Sequence, residues 1–244
     1  MNILDVNSDD YRRWRDRKLA GFTSNMDKLM VEIKNPHKLT ESEINLSSKI
    51  INQSNLLFFE LKEDNDDIKS SLIKLAKQFG MGNFEILESG EKSGLTKIEV
   101  SDESKVKSEY VPYTNKSLNW HTDGYYNEAN DPILSWLLFC QSNSSSGGDN
   151  KFMDHEIAYI LFNDHSEDIR DLTDDKAFII PENIHSGRKA VSSYVFKLLD
   201  EKLHMRFSMR QKNIIWRDDI KESVELLKSI IRENERYQIK SVSY

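Results

Sequence analysis

The sequence predicts an α+β protein whose core is a double-stranded β-helix, a jelly-roll or cupin-like arrangement, decorated by helices. Three observations lead there. Helical and extended patterns are mixed along the 244 residues, with no repeat and no Pro- or Gly-rich linker to divide them. The apolar runs at residues 56–61 and 133–139 have the length of buried strands. The residues with metal-binding chemistry fall at predicted strand ends. One domain over residues 1–244 is expected, with a helical N-terminal part at about 8–52 and a core at about 55–244.

Taken in order, Tyr11, Trp14, Lys18 and Leu19 mark one stripe of a first helix, with Asp10 as its candidate cap. Thr40, Glu41, Ser42 and Glu43 have capping-box spacing ahead of a helical run through Ile51. Residues 56–61 (LLFFEL) read as a buried strand. A helix over 66–79 puts Ile68, Leu72, Leu75 and Phe79 on one side and stops at Gly80. The acids at 63–67 read as its solvated, dipole-favoured start. Ile98 and Val100 alternate as a strand, and residues 133–139 form a second, fully apolar one. A helix begins over 156–162, residues 194–199 and 214–216 are extended, and Asp219 caps a last helix carrying Val224, Leu227 and Ile231. Trp14, Trp120, Trp136 and Trp216 read as core or pocket wall. Arg12, Arg13, Arg15, Arg17 and Lys18, interleaved with acids, read as a solvated face.

Composition narrows the function classes. A formal net charge of −7 argues against general binding to nucleic acid or anionic membranes, which needs basic patches. The single cysteine, Cys140, has no intramolecular disulfide partner and reads as a small buried hydrophobe in a reducing compartment. No apolar stretch reaches the length of a membrane span, and the first residues do not read as a signal peptide. A cytoplasmic protein is the expectation, and a homo-oligomer is compatible with it.

The chemistry concentrates in NWHTDGYYN. On an extended segment His121 and Asp123 project from the same face and can act as neighbouring ligands of one cation. They supply two of the three ligands in the 2-His-1-carboxylate triad that holds non-haem Fe(II). An ordinary strand-end pair is the plain alternative. A zinc hydrolase is disfavoured, because zinc needs three or four protein ligands and no HExxH-type motif is present. Tyr125, Tyr126 and Asn127 follow directly and could shape a substrate mouth, as could Tyr113 and Asn115. The alternation of Arg206, Ser208 and Arg210 against Met205, Phe207 and Met209 puts both arginines on one strand face. There they could grip an acidic substrate or lie on the surface. His155, at a predicted helix start, reads as a local hydrogen-bonding residue.

The ordered set WHTDG, an apolar run, GGDN, an acidic residue and an AY pair opening a helix resembles the taurine dioxygenase-like (TauD/TfdA) family. YRRWRDRKL, VPYTNKSLNWHTDGYYN and LHMRFSMRQKNIIWRDD extend the resemblance from about residue 10 to 244. It implies an Fe(II)- and 2-oxoglutarate-dependent oxygenase. Such an enzyme couples decarboxylation of the co-substrate by O2 to hydroxylation of a small molecule, and Arg206 and Arg210 motivate the expectation of a polar, carboxylated one. It makes His121 and Asp123 the first two iron ligands. Asn150 falls where family members often carry a 2-oxoglutarate-contacting Thr, and an Asn can still donate there.

The family's third ligand is a His near the C-terminus, followed by an Arg for 2-oxoglutarate, and no His follows His204 here. The expectation is therefore a chain lacking the family's C-terminal strands and marginal in stability for that reason. A second polypeptide, or substitution by His204 or His185, would be other ways to complete the site. A catalytically inactive fragment, pseudoenzyme or binding module that keeps the fold is the alternative of a different class.

Overall fold

In the computed structural model, which describes residues 3–62, 67–82, 94–100, 111–166, 169–184, 187–210 and 214–241, Ser8 starts the first helix. Its side chain accepts from the Tyr11 N–H at the head of α1 (Asp9–Ala20), two residues before the expected cap Asp10. The apolar stripe is as anticipated, with Tyr11, Trp14 and Lys18 buried. The basic face is not uniformly solvated. Arg12 and Arg13 make exposed pairs with Asp9 and Asp10, whereas Lys18 turns inward to Asp154 and Glu156 at 2.7 and 2.5 Å. A lysine can sit there because two carboxylates offset its desolvation.

The chain is a mixture of helices and antiparallel sheet, and forms two compact units. One comprises Glu32–Asn45 and Phe59–Asn119. Within it the Thr40–Glu43 capping box forms as the spacing predicts. The Thr40 hydroxyl accepts from the Glu43 N–H at 3.3 Å, and the Glu43 carboxylate accepts from the Thr40 N–H at 2.6 Å. This box opens α2 (Glu41–Ser54). Strand β1 (Met30–Ile33) pairs with β2 (Phe58–Leu61), which is half-buried rather than buried. Asp67 caps α3 (Ile68–Gln78) by accepting from the Ser70 N–H, and Leu72, Leu75 and Ala76 form its buried side. Gly80, at φ +80°, ends it as expected.

The other unit comprises Met1–Val31, Leu46–Phe58 and Trp120–Tyr244. Its core is centred on α4 (His155–His165), whose residues 157–162 are all buried. Tyr11 and Trp14 meet the Tyr159 ring at 6.4 and 6.1 Å, and Phe196 closes the cluster at 5.2 Å. Strand β3 (Lys151–Met153) leads into α4, and the short α5 (Arg170–Thr173) follows it. Then come β4 (Phe178–Ile180), β5 (Val191–Ser193), β6 (Phe196–Leu199), β7 (Lys202–Met205) and β8 (Ile215–Trp216). The unit ends in α6 (Lys221–Glu233) and β9 (Gln238–Lys240).

The pairings in this unit are β3–β9, β5–β4–β8 and β6–β7, all antiparallel. Among the described residues no sheet closes into a barrel. Helix α6 buries Val224, Leu227, Ile230 and Ile231. The expected cap Asp219 instead gives its carboxylate to Arg217 at 2.6 Å, and a 3-10 turn at Asp218–Ile220 leads into the helix.

Two expected strands do not form. Residues 95–100 and 132–140 carry no regular structure, and Ile98, Val100, Leu134, Trp136 and Leu138 are exposed. An apolar run becomes a buried strand only where a second layer covers it, and local sequence does not show whether one does. Cys140 is likewise exposed rather than buried, its thiol 3.2 Å from Asn143 Oδ1 at the turn that ends the run. No helix among the described residues is long and apolar enough to cross a membrane.

Candidate metal site

The segment that follows β7, residues 206–209, is buried on both faces and serves as a back plate for the His-Thr-Asp tripeptide. The Met209 N–H donates to the Trp120 carbonyl and the Thr122 N–H to the Phe207 carbonyl, both at 2.9 Å. The Phe207 N–H returns to the Thr122 hydroxyl at 3.0 Å, and His121 pairs with Ser208 as an isolated antiparallel bridge. Thr122, β-branched and suited to extended backbone, thus points to the plate. That leaves its neighbours to point the other way.

His121 Nε2 and Asp123 Oδ1 come within 3.4 Å, the two side chains 32% and 47% exposed. The i, i+2 expectation is met, although Asp123 already begins a turn rather than continuing a strand. An imidazole nitrogen and a carboxylate oxygen converging on an open edge fit two neighbouring ligand positions of one divalent ion. Among the described residues no third His, Cys, Asp or Glu joins them in a cluster. His204 is otherwise engaged. Its Nε2 lies 3.1 Å from the Ile133 carbonyl and its Nδ1 3.2 Å from the Tyr194 hydroxyl, so both nitrogens are in use. His155 Nε2 meets the Leu203 carbonyl at 2.7 Å, a partner 48 residues away rather than a local one. His185 lies outside the described residues.

The turn after the pair depends on Gly124. Its φ is +65°, and a Cβ there would stand 2.6 Å from Ile133 Cγ1. Glycine is required on both counts. The Gly124 carbonyl accepts from the Asn127 N–H at 3.0 Å, closing the turn. Tyr125 is buried in the core cluster with its ring 5.3 Å from Tyr126, rather than exposed at an open mouth.

Arg206 is also fully buried. Its guanidinium, a candidate for an acidic substrate, meets oxygens of the chain itself. Nη1 donates to Ser193 Oγ at 2.8 Å, and Nη2 faces the carbonyls of Gly124 at 3.0 Å, Glu128 at 3.3 Å and Asn127. Burial pushes its pKa down from the usual arginine range, while Tyr194 and Asp131 pull the other way. Arg210 is exposed, so the two arginines differ sharply in environment. Asn150 is exposed at the head of β3. Its amide donates to the Gly148 carbonyl at 3.3 Å, and its backbone is tied to Ser241 at 2.9 and 3.0 Å.

A family model described as taurine catabolism dioxygenase TauD, TfdA family matches residues 16–229. The chain belongs to the TauD/TfdA family. The TauD/TfdA match takes in both members of the His-Asp pair, Asn150 and the back plate, and stops before β9. Members of this family are typically Fe(II)- and 2-oxoglutarate-dependent dioxygenases. No curated protein and no solved structure matches the chain.

Thr122, Gly124 and Ser193 also build the site, and no motif in the sequence marks them as doing so. The glycine was visible in WHTDG, but its need for a left-handed backbone and for the space taken by Ile133 is a tertiary property.

Proposed function

We propose that this chain is a non-haem Fe(II)- and 2-oxoglutarate-dependent dioxygenase that hydroxylates a small, polar, carboxylate-bearing molecule. The observation that carries the proposal is the approach of His121 Nε2 to Asp123 Oδ1 within the region matched by the family. In this reading both residues hold the iron. When bound, the metal and its co-substrate supply activation of O2 coupled to oxidative decarboxylation of 2-oxoglutarate. The chain's own part is positional. The back plate fixes the tripeptide, the Asn150 amide orients the co-substrate carboxylate, and Asn127 and Arg210 face the substrate side, with Tyr125 backing them. The double-stranded β-helix of the family is the architecture this reading assigns.

One observation favours a second reading, a binding module that keeps the fold without the chemistry. It is the two-point character of the described site, with no third ligand-type residue clustered beside the pair. Anaerobic titration with Fe(II) and 2-oxoglutarate separates the two readings. A visible charge-transfer band that is absent from His121→Ala and Asp123→Ala supports the dioxygenase. A folded chain that gives no band supports the binding module.

A further inference from the structure

We propose that Arg206 is a positioning residue that sets the geometry of the His121–Asp123 pair by holding the turn that follows it. This rests on the reading of that pair as a divalent-metal site. The guanidinium is held from two sides. On one side is Ser193 at the end of β5; on the other are the carbonyls of Gly124, Asn127 and Glu128, the turn that begins directly after Asp123. The backbone of the same residue donates to the Val195 carbonyl at 2.8 Å, fixing its Cα to the sheet side of the core. Phe207 and Met209, one and three residues further on, bond Thr122 and Trp120.

Residues 206–209 therefore hold the tripeptide at both ends, by backbone pairing before Asp123 and by the guanidinium after it. Arginine suits the task because its planar fork spans two directions at once, whereas an ammonium on a flexible stem is a single point. No carboxylate among the described residues pairs with Arg206. Carbonyl dipoles and the Tyr194 ring, 5.8 Å from Cζ, face the charge instead. A buried cation held this way costs desolvation, and its partners all lie on the loop that carries the pair or on the strand that anchors it. Gly124 contributes a left-handed turn with no intrinsic rigidity, so a tether is what keeps Asp123 beside His121.

The test uses the full chain and Co(II) as a spectroscopic probe, in wild type, Arg206→Met, Arg206→Lys and Ser193→Ala. Arg206→Met should weaken Co(II) binding by about 10–100-fold and alter the visible d–d spectrum. Arg206→Lys should fail to rescue it, and Ser193→Ala should weaken binding by a smaller factor. Co(II) affinity and spectrum of Arg206→Met matching wild type would overturn the proposal. Should Arg206→Met not fold, Ser193→Ala decides by the same criterion. His121→Ala is the control for the metal reading. If wild type and His121→Ala bind Co(II) alike, that reading fails on its own, and the tether is then judged by amide exchange. Faster exchange at Asn127 in Arg206→Met, or in Ser193→Ala, upholds it, and unchanged exchange overturns it.

Discussion

Lys18 Nζ and Asp154 Oδ2 meet at 2.7 Å, with the side chains only 5% and 2% exposed, so the first helix is joined to the head of α4 by a buried ion pair. Glu156 supplies a second carboxylate at 2.5 Å. Asp154 also caps α4 through the Glu156 N–H and accepts from Asn55 Nδ2, both at 2.9 Å. Removing the lysine would leave two carboxylates in a largely dry site. Lys18→Met should therefore cost about 3–5 kcal/mol. Lys18→Met with Asp154→Asn should cost less than the sum of the single changes, because the orphaned charge is removed with its partner. Urea unfolding of the three variants checks this, and a single-variant loss below about 1 kcal/mol would contradict it.

Gly124 faces two obstacles to any side chain. The left-handed backbone costs a non-glycine residue about 1–2 kcal/mol. The collision of a Cβ with Ile133 adds about 1–3 kcal/mol more unless the isoleucine moves. Gly124→Ala should destabilise the protein accordingly and disturb the turn after Asp123. Gly124→Ala combined with Ile133→Val should recover part of the second contribution only. Equal stability of wild type and Gly124→Ala would show that the turn is not built as described.

Glu43 predicts a specific acid sensitivity. Burial raises its pKa, but hydrogen bonds from the Thr40 hydroxyl and from the Lys34 and Thr40 N–H groups outweigh that, holding the carboxyl below its ordinary value. A depressed carboxyl stabilises the fold fully above its unfolded pKa, and that contribution is lost as pH falls through the folded pKa. Glu43→Gln should cost about 1 kcal/mol at pH 7. The deficit should narrow as pH falls below about 4.5, where the unfolded wild type takes up a proton that the folded protein still excludes. Thermal unfolding of both proteins from pH 3.5 to 7 reads this directly, and a deficit that widens on acidification would reverse the sign and refute it.

What could be read in the sequence was mostly local. The Thr40–Glu43 box and the Tyr11, Trp14, Lys18 stripe depend on neighbours three or four residues away, and both form. The His121–Asp123 pairing follows from the two-residue repeat of extended chain, and it too is present. Residues 98–100 and 133–139 fail as strands because apolar content records a capacity for burial, not a partner. Arg206 and Arg210 show the same limit. Their alternation was visible, whereas the three carbonyls that enclose Arg206 come from about 80 residues away. The exposure of Cys140 was hidden for the same reason, since an apolar run says nothing about where its cover stops.

His204 gives a second, oppositely charged pH dependence. Burial pushes its imidazole below the usual histidine range; the Ile133 carbonyl opposes this, and His155 and Arg206 reinforce it. A carbonyl can only accept, so Nε2 carries the proton donated to Ile133, and bare Nδ1 accepts from the Tyr194 hydroxyl. The folded protein thus holds a neutral histidine that the unfolded chain protonates near pH 6.5. Between the folded pKa and that value the unfolded state binds more protons, so stability rises with pH across the window and falls on acidification. His204→Gln keeps an amide donor for Ile133 but does not titrate. At pH 7.5 it should be less stable than wild type by about 1 kcal/mol, the net worth of the lost Tyr194 hydrogen bond. As pH falls below about 6.5 the wild type should lose stability faster, and the difference should shrink toward zero. Urea midpoints of the two proteins between pH 5.5 and 7.5 measure this, and the other five histidines cancel in the comparison because both proteins carry them. A difference that stays constant across that range would mean that His204 gains no neutral-form stabilisation on folding.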